Sequence, residues 1–478
     1  MKSLFSFCFI TLSIFLSAQD STAIRYSKII RSADIKEYIT VLASDSLEGR
    51  ETAQPGQKKA ARYIAKQFNS FGIPPHNNTY FQPFQLFNIK PENVSLKING
   101  KELEFLVDYY HFSNFSNDSL SAEKVVFIGK LNTDVKDKIV FTLLKYHSEK
   151  EVKELITSGA RAVFFIDDKA ETKMTNPAYH FKSERLKVAE LHPKKTTAVF
   201  FISLKAAKKV LKRKIKNKNF SNKEIDCKID LKIEIETQKV SSENVIGYVE
   251  GGDLKNEVVV ITAHYDHLGK HGDVIYHGAD DDGSGTAAVI ALSHAFEQAK
   301  KEGHGPRRSM LFMTVSGEEK GLLGSSFYAS NPLFPLNNTI ADLNIDMIGR
   351  IDEKHGTNAD YVYLIGSDKL SSELHKISDS TNATYTKLEL DYTFNDPNDV
   401  NRYYYRSDHY NFAKNGIPVI FYFNGVHVDY HQPTDTSDKI NFDKVEKIAK
   451  LVFFTAWELA NRNKRIVVDT ENDFKGTR

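Results

Sequence analysis

The sequence predicts an α/β fold, a mixed central sheet flanked by helices, with a β-rich module inserted ahead of its main body. Three observations carry this. From Asn244 onward, short β-branched runs alternate with longer runs of helical period, the pattern of strands covered by helices. Acidic and imidazole residues sit where those apolar runs end, which is where open α/β sheets place their chemistry. Between about Gln85 and Val240 the composition changes, and four strand-like runs follow one another without such residues.

The elements follow in chain order. Residues 1–18 read as an export signal: Met1-Lys2-Ser3, an apolar core over 4–16, and a small-residue cleavage context at Leu16-Ser17-Ala18 before Gln19. That core is shorter than the roughly twenty apolar residues that span a bilayer, and no later segment is long and apolar enough to do so. The expected location is periplasm or medium, with no integral membrane segment once the signal is removed. Cys8 lies in the signal, so the exported chain keeps Cys227 alone and forms no internal disulfide. Residues 19–85 carry two helices, 32–42 with Ser32 as its expected N-cap, and about 56–71. The second has Ala60, Ala61, Ile64, Ala65 and Phe68 on one face and is stopped by Gly72 and Pro74. Arg50, in the polar loop between them, reads as a loop ion pair rather than a substrate contact.

Residues 86–240 form the expected insert, with strands at 124–128, 138–141, 162–166 and 198–202 and a helix over 151–158. Its basic run Lys205, Lys208, Lys209, Lys212, Arg213 and Lys214 is spaced with Val210 and Leu211 as the solvated face of a helix. In residues 241–465 the strands are 245–249, 258–261, 310–315, 340–345, 361–365 and 418–423, and the helices 284–301 and 444–460. A tail, 466–478, follows. At 478 residues with 41% hydrophobic and 26% charged content, the chain has the balance of a soluble globular protein of two or three domains. A net charge of +2 makes no electrostatic case for nucleic acid or an anionic membrane surface. No feature specifies an oligomeric state.

The chemistry is carried by His264, Asp266, Asp280, Glu318, Glu319, Asp346 and His431, each at the end of a strand-like run or in a turn just after one. A buried carboxylate is costly unless paired or bound to metal. This many beside hydrophobic strands ask for a multivalent cation. Oxygen and imidazole donors without thiolate suit zinc, and a carboxylate shared between ions suits a paired-metal hydrolase. His267, His271, His277 and His427 fit no consistent scheme and read as loop residues.

The segments Ala263-His-Tyr-Asp-His-Leu-Gly269, Gly278-Ala-Asp-Asp-Asp-Gly-Ser-Gly285, Ser316-Gly-Glu-Glu-Lys-Gly-Leu-Leu-Gly-Ser325 and Asn344-Ile-Asp-Met-Ile-Gly-Arg350 together resemble the co-catalytic zinc aminopeptidases. Arg406-Ser-Asp-His409 and Tyr430-His-Gln-Pro-Thr-Asp435 extend the likeness, which covers about 244–460. These are secreted exopeptidases of metallopeptidase clan MH, related to glutamate carboxypeptidase, with the zinc-exopeptidase (phosphorylase/hydrolase-like) fold. The insert resembles a protease-associated (PA) domain, less specifically. The resemblance implies two Zn2+ per chain, one held by His264, Asp280 and Asp346, the other by Asp280, Glu319 and His431. It makes Asp280 the bridge, with a strained, cis-type peptide after it. Asp266 would accept the second N–H of His264, and Glu318 would be the general base. Tyr430 resembles an oxyanion-stabilising tyrosine, with a packed aromatic as its alternative. Asp408 and His409 read first as structural hydrogen-bonding residues, with shaping of the substrate pocket (Asp408 as a substrate-binding candidate) as the alternative.

The implied activity is removal of N-terminal residues from peptides. A carboxypeptidase or dipeptidase of the same clan stays open, because the metal site does not tell a free amine from a free carboxylate. A glutaminyl-cyclase-like acyltransferase and a non-enzymatic scaffold of the same fold are further alternatives.

Overall fold

Leu254–His264 is a strand because its centre, Val258-Val-Val-Ile-Thr-Ala, is β-branched and apolar, and it is buried on both faces. The computed structural model to which it belongs describes residues 19–111, 118–129, 134–175, 185–188, 197–211 and 222–471. The signal expected at 1–18, Lys212, Arg213 and Lys214 of the basic run, and the tail beyond 471 lie outside the described residues. Two units form: residues up to Phe84 with those from Ser241, and Gln85–Val240.

In the first unit the strand order is Glu389–Asp391, Tyr361–Ile365, Val419–Phe423, Thr339–Ile345, Leu254–His264, Arg308–Val315, then residues 245–249 of the strand Lys223–Val249. Val419–Phe423, Thr339–Ile345, Leu254–His264 and Arg308–Val315 run parallel, and Tyr361–Ile365 and residues 245–249 run antiparallel to their inner neighbours. The sheet is therefore mixed. Alternate side chains serve alternate faces. Val259, Ile261 and Ala263 pack with residues of the helices Ser32–Leu42, Pro55–Ser70, Gly283–Lys301 and Phe442–Asn461. Val258 and Val260 pack on the other side with Tyr328 and Phe412 of the short helices Leu323–Ser330 and His409–Ala413.

Arg50 corrects a sequence expectation. It is fully buried and, among the described residues, forms no ion pair. Its guanidinium donates to the carbonyls of Leu42 (2.5 Å), Tyr265 (2.8 Å), His277 (2.7 Å) and Gly278 (2.8 Å). Its own carbonyl accepts the His267 N–H at 3.2 Å. The N-terminal segment is thereby tied to the loops that carry the acidic and imidazole residues.

In Gln85–Val240, Asp118–Phe127, Ile139–Leu143, Ala162–Asp167 and Ala198–Ser203 lie side by side and parallel. Phe141, Phe164 and Phe200 stack across that ladder with ring centroids 4.7 and 4.9 Å apart. Lys205, Lys208 and Lys209 are exposed on the helix Leu204–Leu211, whose Ala206, Ala207, Val210 and Leu211 are buried, so this part of the basic run is a solvated face.

Candidate metal centre and active-site pocket

Parallel pairing sets His264 beside Val315 and Thr262 beside Asn344, so the carboxyl ends of three adjacent strands lie together. His264 ends one strand, Glu318 and Glu319 follow the second, and Asp346 follows the third. The fourth parallel strand, Val419–Phe423, leads into the loop that carries His431. Asp281 comes from the turn ahead of the helix Gly283–Lys301. Gly278, at φ 58°, makes that turn possible: a Cβ there would lie 2.3 Å from the Asp281 carbonyl and 2.5 Å from the His267 ring.

The donors converge on Asp281. Its Oδ1 is 3.2 Å from His264 Nε2, which is 3.7 Å from Asp346 Oδ1. Its Oδ2 is 3.1 Å from His431 Nε2, which is 3.3 Å from Glu319 Oε2. His267 Nδ1 lies 2.9 Å from Glu319 Oε1 and 3.8 Å from Asp281 Oδ2. The sets His264, Asp281, Asp346 and His267, Asp281, Glu319 each bring their ligand atoms within 4.8 Å of one another.

Four sequence expectations change here, and for Asp408 the substrate-binding alternative falls. Asp280 is not the shared carboxylate: its Oδ1 accepts the Gly349 N–H at 2.6 Å and its Oδ2 lies 3.2 Å from His427 Nε2. The cis peptide is correspondingly Asp281–Asp282, one residue later than expected. Asp266 does not take the His264 N–H on its carboxylate, which is 3.8 Å away; the Asp266 backbone carbonyl faces Nδ1 at 3.1 Å. The Asp266 side chain instead accepts from Thr52 Oγ1 (2.6 Å) and from the Glu318 N–H (3.2 Å), so it positions the loop of Glu318. His267 and His427, expected in loops without a role, have buried side chains against site carboxylates. Asp408 is fully buried, accepts from Ser325 Oγ at 2.5 Å and does not line the pocket; its neighbour Ser407 does, donating to Asp346 Oδ2 at 2.6 Å. Burial raises the Asp408 carboxyl to about 7.

Zinc fits this donor set on two counts. The ligand atoms are carboxylate oxygens and imidazole nitrogens only. Asp281 Oδ2 and Glu319 Oε1 are buried and within about 3 Å of imidazole nitrogens, yet make no hydrogen bond, as donor atoms sharing a cation would stand. Burial raises the Glu319 carboxyl, but the imidazoles of His267 and His431 outweigh it and hold it down at about 2. Burial likewise holds the Glu318 carboxyl well above the usual range, against the pull of His264.

A pocket opens over these groups. His264, Asp281, Glu318, Asp346 and His431 line it together with Met347, Tyr403, Arg406, Ser407, Phe421, Phe423, Val426 and Tyr430. The Tyr430 ring stacks on His431 at 3.9 Å, and its hydroxyl accepts from Arg406 at 3.4 Å. Of the residues the sequence reading missed, Asp281 and His267 lie inside the quoted motifs beside a chosen residue, so spacing alone gave no signal to prefer them.

Residues 244–456 match the family model described as Peptidase family M28. A probable leucine aminopeptidase of Arthroderma otae is 33% identical over 214 residues, 43% of this chain and 55% of that protein. Aminopeptidase YwaD of Bacillus subtilis is 25% identical over 233 residues, 47% of this chain and 46% of that protein. The chain thus spans about half the length of the relatives it matches in sequence. An aminopeptidase from Aneurinibacillus sp. strain AM-1 shares the fold, with a TM-score of 0.61 at 21% identity, covering 94% of this chain and 98% of the other. Among the described residues, no helix is long and apolar enough to cross a membrane.

Proposed function

We propose that the chain is an exported zinc aminopeptidase acting on peptides with free N-termini, a reading supported by the match of residues 244–456 to the model of Peptidase family M28. The observation that supports this most is Asp281, whose two oxygens face two separate sets of imidazole and carboxylate donors. His264, Asp281 and Asp346 would hold one zinc, and Asp281, Glu319 and His431 the other, with His267 against Glu319. When bound, the metals supply Lewis acidity toward the scissile carbonyl and acidify water. Export rests on the signal pattern of residues 1–18.

Glu318 lines the pocket beside the ligand Glu319, with its backbone held by Asp266. It takes the proton of the attacking water and passes it to the leaving amine. Tyr430, at the pocket wall, would use its hydroxyl to stabilise the charge that gathers on the carbonyl oxygen. The Glu318 and Asp346 carboxylates attract the substrate ammonium, and Met347, Phe421, Phe423 and Val426 receive an apolar first side chain.

The test pairs peptides carrying free or acetylated N-termini with wild type and Glu318→Gln. Wild type should trim only free N-termini and stop on zinc chelation. The variant should retain zinc while turnover falls by about 10²–10⁴-fold, the usual worth of a positioned acid–base group. Near-normal turnover would remove Glu318 from the mechanism, and equal trimming of acetylated peptides would remove the aminopeptidase reading.

A further inference from the structure

The pocket lining joins both signs of charge. Three carboxylates, Asp281, Glu318 and Asp346, share it with one exposed guanidinium, Arg406. Among the described residues no carboxylate forms an ion pair with Arg406 in this structure, whereas Arg350 is paired with Asp429 and Arg308 with Glu257. The guanidinium lies over the Tyr403 ring, 4.9 Å from its centroid, and spends one N–H on the Tyr430 hydroxyl at 3.4 Å. Stacking leaves the in-plane edge of a guanidinium free, and that edge matches a carboxylate with two parallel hydrogen bonds.

We propose that Arg406 is a specificity-determining residue that receives a substrate carboxylate, making this pocket selective for dipeptides over longer or C-terminally blocked peptides. The inference rests on the peptidase reading above. A zwitterionic dipeptide is the complementary ligand: its ammonium faces Glu318 and Asp346, and its carboxylate faces Arg406. One residue spans at most about 3.6 Å, so the carboxylate of a dipeptide stays within one residue of the scissile bond and inside the same pocket. An acidic side chain on the second residue offers the same chemistry from a different source. Arg406 is a binding group and takes no part in proton transfer.

The experiment compares kcat/KM for Leu-Gly, Leu-Gly-amide and Leu-Asp-amide in zinc-loaded wild type, Arg406→Gln and Arg406→Lys. Arg406 is exposed, so both variants should fold. Wild type should favour Leu-Gly over its amide by about ten-fold or more, the worth of a charge-assisted pair. That ratio should fall toward one in Arg406→Gln and take an intermediate value in Arg406→Lys, which keeps the charge but loses the planar fork. A wild-type preference for Leu-Asp-amide over Leu-Gly-amide, lost in Arg406→Gln, would uphold carboxylate capture with the side chain as its source. Identical acid-to-amide ratios in all three enzymes would overturn the inference and leave the peptidase reading intact. Failure of wild type to cleave any of the three would instead defeat the peptidase reading.

Discussion

Three consecutive aspartates meet three different surroundings. Asp280 faces Gly349 and His427, Asp281 faces His264 and His431, and Asp282 caps the following helix through Gly285 N–H while accepting the backbone N–H of His264. Sequence reading placed a shared carboxylate in this run but chose Asp280. Periodicity does not distinguish neighbours in a turn, because the direction of each side chain depends on backbone angles that spacing does not encode. Asp281→Asn should lose most bound zinc at both positions, whereas Asp280→Asn should keep it, as measured by metal content after gel filtration. Equal loss in the two variants would return Asp280 to the ligand set. His267 was illegible for a related reason: its value comes from its 2.9 Å approach to Glu319, a residue carried by the loop after a different strand.

Among the elements, the strands and long helices were legible, since β-branched runs and one-sided helical faces are local signals. The helix expected over 56–71 spans Pro55–Ser70, and that expected over 444–460 spans Phe442–Asn461. The joints between elements were not legible. Arg50 shows why: its four acceptor carbonyls, on Leu42, Tyr265, His277 and Gly278, are brought together only by the fold. A buried charge and four carbonyls satisfied by one side chain make a costly residue to remove. Arg50→Met should lower stability by several kcal/mol, at about 1–3 kcal/mol for each carbonyl left unsatisfied and not rehydrated. It should also weaken zinc retention, because the loops of His264 and Asp281 lose a common anchor. Thr52→Val removes only the 2.6 Å bond to Asp266 and should weaken turnover more than stability. Urea unfolding and metal content check the first variant, and urea unfolding with peptide turnover the second. An unchanged unfolding midpoint in Arg50→Met would show that the four carbonyls find other partners.

For the whole molecule, one contribution to acid sensitivity comes from a histidine outside the metal ligands. His409 is fully buried and stacks on Phe421 with ring centroids 4.8 Å apart, and burial outweighs its hydrogen bond to the Tyr404 backbone. Burial lowers its pKa from 6.5 to about 3, so the folded chain keeps it neutral. The sign follows from proton binding. Above pH 6.5 neither folded nor unfolded chain is protonated there, and His409 makes no contribution to pH dependence. As pH falls below 6.5 the unfolded chain binds the proton first, so stability is lost down to about pH 3, by up to about 1.4 kcal/mol per pH unit. Zinc release by the site ligands adds its own acid sensitivity, and the comparison has to remove it. His409→Leu, whose side chain does not titrate, should therefore be set against wild type with chelator present in both. The stability difference between them should shift in favour of the variant by about 2 kcal/mol between about pH 7.5 and about pH 5. A difference independent of pH would mean that the imidazole is protonated in the fold or reached by water, and that the acid limit of this chain is set by its carboxylates instead.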